Sequence, residues 1–317
     1  MVRIAQLLEQ GQAWSRRVWS AARSTHVWDA VVGILAARLL ARGKCYIAWQ
    51  GRSLPRPERA ETPLKLPLPL ATDERSAEVQ RRYFESADAA RFRWTTGAPG
   101  FAETEDDLLA PFVETIVGPC LEIGCGEGNN LVRLLRCGSC VGVDLYPRKL
   151  YFAAAHLPEA RFAAADATAL PFRAAAFGSV FIRDLLHHVP APDRVLVEAV
   201  RVLAPGGRFW LLEPNGRNPL VRLQAHLVAA EAGVLGSSTS SIARLLSTLP
   251  LTRLEVRTLQ PLPLRRMVLH YRFGLPALGQ ISAMRRMLAG IEWLASRTLP
   301  PSRWAYIAAT AERADVG

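Results

Sequence analysis

The chain has 317 residues, a formal net charge of +11 and a composition that is half hydrophobic, enough for one large domain with additions. Its five cysteines are an odd number without framework spacing, which excludes a disulfide-stapled fold and points to reduced thiols in a cytoplasmic setting. The uncharged run at 30–37 is far shorter than the roughly 18–20 residues of a membrane span, and no apolar stretch with a cleavage site marks a secretory signal.

Residues 1–51 read as a basic, amphipathic helical extension carrying Trp14, Trp19 and Trp28 among Arg16, Arg17, Arg23, Arg38 and Arg42. Residues 52–72 contain Pro55, Pro57, Pro63, Pro67 and Pro69, a density that breaks helix and central strand alike, so this stretch is a linker. The main domain is expected over 73–317, opening with a helix near 74–93. From 116 the texture alternates. Strands are predicted at 119–124, 139–143, 160–164, 178–183 and 207–213, with helices around 128–136, 147–156 and 191–203 between them. Such alternation builds right-handed β-α-β units and a parallel sheet. Cys137 and Cys140 have C-x-x-C spacing but no second ligand pair, so they are expected to be core thiols, and no metal is expected.

Four residue groups fall on the edge where such sheets bind ligands, beyond the carboxyl ends of the strands. They are the glycine turn Gly124-Cys125-Gly126-Glu127-Gly128, Asp144, Asp166, and Arg183-Asp184 with His187-His188. Asp144 follows Gly124 by twenty positions (144 − 124), the spacing of an acid that accepts hydrogen bonds from ribose hydroxyls. A nucleoside ligand is indicated. A dinucleotide fits less well, because Asn129 stands where the third glycine of G-x-G-x-x-G belongs.

The ordered segments "LEIGCGEGNN", "VGVDLYPRKL", "ARFAAADATALPF", "FGSVFIRDLLHHV" and "VRVLAPGGRFWLLEP" resemble the class I S-adenosylmethionine-dependent methyltransferases, in particular those acting on quinones and small molecules. The resemblance covers about 115–215. It implies a doubly wound, Rossmann-like α/β fold with a seven-stranded, mostly parallel sheet, helices on both faces and S-adenosylmethionine as cofactor. By the same resemblance, Gly124, Cys125, Gly126 and Gly128 would let the backbone approach the methionine part, and Glu122 would hold its ammonium. Asp144 would take the ribose, with Leu145 against the adenine. Asp166 and the backbone of Ala167 would meet the adenine amino edge, and the main chain from Ile182 through Arg183 to Asp184 would border the sulfonium. Two positions depart from the family pattern. Gly178 follows Phe177 where aspartate is usual, and Arg183-Asp184 puts charge beside the reaction centre.

Methyl transfer needs a general base only when the nucleophile arrives protonated. His187, His188, Asp184 and Glu213 are the candidates at the pocket mouth. Beyond 215, "RLEVRTL" (253–259) and "RWAYIAATA" (303–311) are expected to finish the sheet, with insertions over 216–302 that act as a lid and face a membrane. Within 260–302 a helix places Ile281, Met284, Leu288, Ile291 and Leu294 on one face, bordered by Arg285 and Arg286. The helix suits either an anionic membrane surface or a lid on its own domain. Both favour a small lipophilic acceptor and peripheral membrane contact. The charge is segregated: 16 basic and 9 acidic side chains in 1–100, 10 and 14 in 101–215, and 13 and 5 in 216–317. Basic flanks also fit a nucleic-acid methyltransferase, a reading weakened by "IRDLLHHV", which lacks an Asn-Pro-Pro-Tyr-like motif. A non-catalytic cofactor-binding protein is the third reading.

Overall fold

Residues 74–315, apart from Phe273, are described by the computed structural model. The helical extension expected over 1–51 and the linker over 52–72 lie outside the described residues. Three helices come first: α1 (Glu74–Phe84), α2 (Ala89–Gly97) and α3 (Ala102–Val113). A single helix over 74–93 was expected. Asp88 divides it, because its side chain accepts from the backbone N–H groups of Ala90 and Arg91 and so caps a new helix.

Seven strands then form one sheet: β1 (Cys120–Ile123), β2 (Cys140–Asp144), β3 (Arg161–Ala164), β4 (Phe177–Arg183), β5 (Leu203–Pro214), β6 (Leu251–Leu259) and β7 (Tyr306–Arg313). Their order is β3-β2-β1-β4-β5-β7-β6. β1 to β5 pair in parallel, whereas β7 runs antiparallel to both β5 and β6. This is the doubly wound, Rossmann-like arrangement expected from the sequence. β1 and nearly all of β4 are buried, as befits central strands covered on both faces. Successive residues alternate between the faces. Ile182 and Leu211 enter one core with Leu121, Val195 and Ile307, while Phe181 and Trp210 enter the other with Phe112, Leu131 and Leu134.

Short helices connect the strands: α4 (Leu131–Leu134), α5 (Pro147–His156) and α6 (Pro192–Val202). α4 is shorter than the helix expected over 128–136, because Gly128 has φ +82° and belongs to the turn. After β5 come α7 (Pro219–Leu227), a 3-10 stretch at Ala229–Gly236 and α8 (Thr239–Leu246), which lead into β6. β7 starts at Tyr306 rather than at 303, since Pro301–Arg303 coils into a 3-10 turn.

The segment between β6 and β7 holds α9 (Leu264–Val268) and α10 (Ser282–Thr298). It closes onto the helices that precede the sheet. Trp94 donates its indole N–H to Leu269 O at 2.8 Å and stacks on Phe101 at 3.6 Å. Gly279 meets Pro99 so closely that a Cβ would lie 2.2 Å from the Pro99 carbonyl oxygen. The apolar stripe expected on α10 is split. Leu288 is buried with Glu292 and Ala295, whereas Ile281, Ile291 and Leu294 are exposed together with Met287 and Trp293. Among the described residues no helix is long and apolar enough to cross a membrane.

Candidate active site

The C-terminal ends of β1, β2 and β4 bring the predicted residues to one edge. Gly124, Gly126 and Gly128 all have positive φ (77°, 54° and 82°), a conformation that L side chains rarely adopt. Around Gly126 the space is open: a Cβ there would have only Lys149 Nζ nearby, at 3.9 Å. Asp144 braces this turn. Its Oδ2 accepts from Gly126 N and its Oδ1 from Tyr146 N, both at 2.9 Å. Burial raises the Asp144 carboxyl above its usual range against the pull of Lys149. Lys149 is itself buried, 3.9 Å from Glu127 and 4.7 Å above the Phe84 ring. Glu127 in turn accepts from Asp88 N at 3.0 Å, tying the glycine turn to the start of α2.

Cys125 is buried, and Leu145 and Ala167 are half-buried. Beyond β3, Asp166 forms a local turn, its Oδ1 accepting from both the backbone N and the hydroxyl of Thr168 at 2.8 Å. Glu122 is fully covered. It accepts from Asn130 Nδ2 at 2.6 Å through one oxygen, while the other is buried without a hydrogen-bond partner. Burial lifts its carboxyl to about 8.

Arg183 and Asp184 do form an ion pair, Nε to Oδ2 at 3.4 Å, but it is buried rather than on the surface. Arg183 is buried, with NH1 donating to Glu105 Oε2 at 2.6 Å and to Asn130 Oδ1 at 2.9 Å, and NH2 reaching Tyr306 Oη at 3.4 Å. Arg266 also donates to the Tyr306 hydroxyl and lies 3.9 Å from Glu105. Burial raises the Glu105 carboxyl, but Arg183 and Arg266 outweigh it and hold the group at about 2. Asp184 has φ +51°, a sparsely populated conformation for a residue other than glycine. Its Oδ2 lies 3.4 Å from the Tyr306 hydroxyl, and its Oδ1 is buried without a partner.

The two histidines differ sharply. His187 is buried between two acids, with Nδ1 2.6 Å from Glu213 Oε2 and Nε2 3.4 Å from Glu231 Oε2. Burial lowers its pKa, but Glu213 and Glu231 outweigh this and push it up to about 10. Burial and the neighbouring His187 push His188 down to about 3, and its Nδ1 lies 3.1 Å from Ala230 O. Near neutrality His187 is a cation and His188 is neutral. Together with Glu231 they offer three ligand atoms within 4.8 Å of one another, a grouping invisible in the sequence spacing. The imidazolium proton of His187 already meets the acid charge there.

Sequence reasoning missed Glu105, Glu231, Arg266 and Tyr306. Of these only Tyr306 left a trace, as a polar aromatic at the ligand-side end of a strand.

A family model described as "Methyltransferase domain" matches residues 121–211. An uncharacterized methyltransferase of Mycobacterium sp. (strain JLS) is 33% identical over 141 residues, 43% of this chain and 56% of the relative. The phthiotriol/phenolphthiotriol dimycocerosates methyltransferase of Mycobacterium tuberculosis is 36% identical over 114 residues, 34% of this chain and 42% of the relative. The chain thus spans about half the length of these curated relatives. Among solved structures, Haemonchus contortus phosphoethanolamine N-methyltransferase 2 in complex with S-adenosyl-L-methionine aligns with a TM-score of 0.53 at 19% identity, covering 71% of this chain and 56% of that one. Geranyl diphosphate C-methyltransferase from Streptomyces coelicolor aligns with a TM-score of 0.51 at 16% identity, covering 77% and 100%. At these identities the structures share the fold.

Proposed function

Because residues 121–211 match a methyltransferase-domain model, we propose that the chain transfers a methyl group from S-adenosylmethionine to a small, lipophilic acceptor. The carrying observation is the open turn at Gly126, braced by Asp144, on the same sheet edge as two buried, unpartnered carboxyl oxygens, on Glu122 and Asp184. A cation and a proton-bearing nucleophile are the partners such atoms lack. The relatives include a methyltransferase named for a lipid, which supports the acceptor class.

S-adenosylmethionine, when bound, supplies an electrophilic methyl on a sulfonium. The protein's own tasks are alignment and exclusion of water. Glu122 would take the ammonium, and Asp144, with lone pairs left after its two backbone bonds, the ribose hydroxyls. Asp166 and the Ala167 backbone would hold the adenine edge, with Leu145 on its face. Asp184 Oδ1 is the group that accepts the nucleophile's proton. His187 is a cation at neutral pH and cannot take one. It positions the 186–188 turn through Glu213, which also accepts from Leu185 N and Leu186 N at 2.8 Å. His188 is a weak base fixed on Ala230. Arg183 sits beneath the site and holds Glu105 and Tyr306 in place.

The exposed α10 face adds a membrane contact to this reading. Ile281, Met287, Ile291, Trp293 and Leu294 are exposed beside Arg286 and Arg297, a pairing of apolar and cationic side chains that suits an anionic lipid surface. Labelled methyl transfer to fractionated lipids, quinones and RNA tests the proposal. Label is expected in lipid or quinone, with turnover reduced about a hundredfold or more in Asp184→Asn while S-adenosylhomocysteine affinity stays unchanged. Label appearing in RNA instead would replace this reading.

A further inference from the structure

Two turns at the ligand edge of the sheet are fastened to each other by buried amides. Asn215 donates Nδ2 to Ser302 O at 3.1 Å and to Trp304 O at 2.7 Å, and Asn218 donates Nδ2 to Arg303 O at 2.8 Å. Both asparagines are essentially inaccessible (0% and 1% exposed), so the two turns are held in fixed relation. Between them lies a cavity of about 500 Å³, open to solvent and lined by the exposed residues Arg217, Pro219, Arg222, Ser302 and Arg303. Three arginines therefore border one open cavity, and one of them, Arg222, donates NH1 to Gly216 O at 3.3 Å. Among the described residues no carboxylate oxygen lies within 4.0 Å of any of them. Like charges gathered without an acid repel one another, and the arrangement suits a multivalent anion with several acceptor oxygens, which arginine binds in fork geometry.

The position narrows the ligand. Pro214 and Tyr306, the ends of β5 and β7, are paired directly below the two turns, and the Tyr306 hydroxyl reaches Asp184. On the other side, the 301–303 turn follows the end of α10, closed by Trp304 Nε1 donating to Leu299 O at 3.1 Å. The last turns of α10 expose Trp293 and Leu294, with Arg297 4.6 Å above the Trp293 ring. The Ser302–Arg303 side of the cavity thus lies, along the chain, between an exposed apolar helix and the start of β7, and the Arg217–Arg222 side follows the end of β5.

We infer that the Arg217–Arg222–Arg303 cavity binds the phosphate of an anionic lipid head group, anchoring the α10 face at the membrane beside the acceptor site. The inference rests on the membrane contact proposed above and assigns it a specific phosphate site. A free phosphate would satisfy the arginines alone, whereas a membrane lipid also accounts for the adjoining apolar residues.

The test is sedimentation of the full chain with phosphatidylcholine vesicles, with and without phosphatidic acid. Arg217→Gln/Arg222→Gln/Arg303→Gln is expected to lower partitioning onto the phosphatidic acid vesicles roughly a hundredfold, at about fivefold per arginine. Its weak partitioning onto pure phosphatidylcholine should stay as in the wild type. Trp293→Asp/Leu294→Asp should lower partitioning onto both. Wild-type partitioning by the triple glutamine variant overturns the assignment. So does calorimetric binding of inorganic diphosphate that the triple variant loses, if vesicles of both compositions are ignored, for the site would then serve a soluble phosphate. Calorimetry with S-adenosylhomocysteine separates the two readings. Failure of the wild type to bind it counts against the methyltransferase proposal while leaving the vesicle result standing.

Discussion

Burial, against the pull of Asn130 and Arg183, lifts the Glu122 carboxyl to about 8, so near neutrality it carries a proton until a cation arrives to favour the charged form. If it receives the ammonium of the cofactor, binding at pH 7 must expel up to one proton. Calorimetry of S-adenosylhomocysteine binding in buffers of different ionisation enthalpy should show that release, and Glu122→Gln should abolish it. An unchanged buffer dependence in the variant would remove Glu122 from this role. His187 gives a second test through pH. Its pKa is raised to about 10 in the folded protein, against about 6.5 unfolded. Its contribution to stability is therefore complete below about pH 6.5 and is lost as pH rises toward 10. Urea unfolding should show that decline, and Glu213→Gln should flatten it while costing about 3–5 kcal/mol near neutrality, as for one lost partner of a buried pair. Residues such as Gly126, Asp144 and Asp184 could be found in the sequence because each follows a recognisable strand and the edge they share is a property of the topology. Glu105, Glu231, Arg266 and Tyr306 could not. They come from elements far apart in the chain, and their importance lies in a burial that only the folded arrangement creates.

At the scale of elements, parallel strands are legible because both of their faces are covered, which leaves short, almost wholly apolar runs such as those at Val180–Ile182 and Phe209–Leu212. Helices on the cover are harder. α10 has apolar side chains on more than one face, so periodicity alone cannot say whether Leu288 or Ile291 turns inward. The structure turns Leu288 inward because Glu292, one turn further on, pairs with Arg265 at 2.6 Å. The division of the helix expected over 74–93 hinges likewise on one cap at Asp88. The joint between the cover and the helices before the sheet centres on Trp94, which is buried, stacked on Phe101 and bonded to Leu269 O. Trp94→Ala should destabilise the fold by about 3–5 kcal/mol in urea unfolding. Hydrogen exchange should rise first over 264–280 while β1 and β4 stay protected. Equal loss of protection in the sheet would show that the cover and the sheet unfold as one unit.

For the whole molecule, every residue assigned to the cofactor lies between Glu122 and Asp184, and the helices packed over it begin at Glu74. A chain starting at Asp73 is accordingly expected to keep its S-adenosylhomocysteine affinity within about threefold, measured by calorimetry, since no assigned contact is removed. A larger loss would give residues 1–72 a part in the site. The strand order carries one more consequence. β7 lies between β5 and β6 although it comes last of the seven in sequence, and it brings the phenol that Arg183, Arg266 and Asp184 share. On the ribosome, β1 to β5 can associate as they emerge, but β6 has no neighbour to pair with until β7 arrives. Arg183 and Asp184 meanwhile lack their common partner. The nascent protein can therefore shape its glycine turn well before the proposed acceptor end, so nucleoside binding should be acquired during translation earlier than the methyl transfer proposed for it.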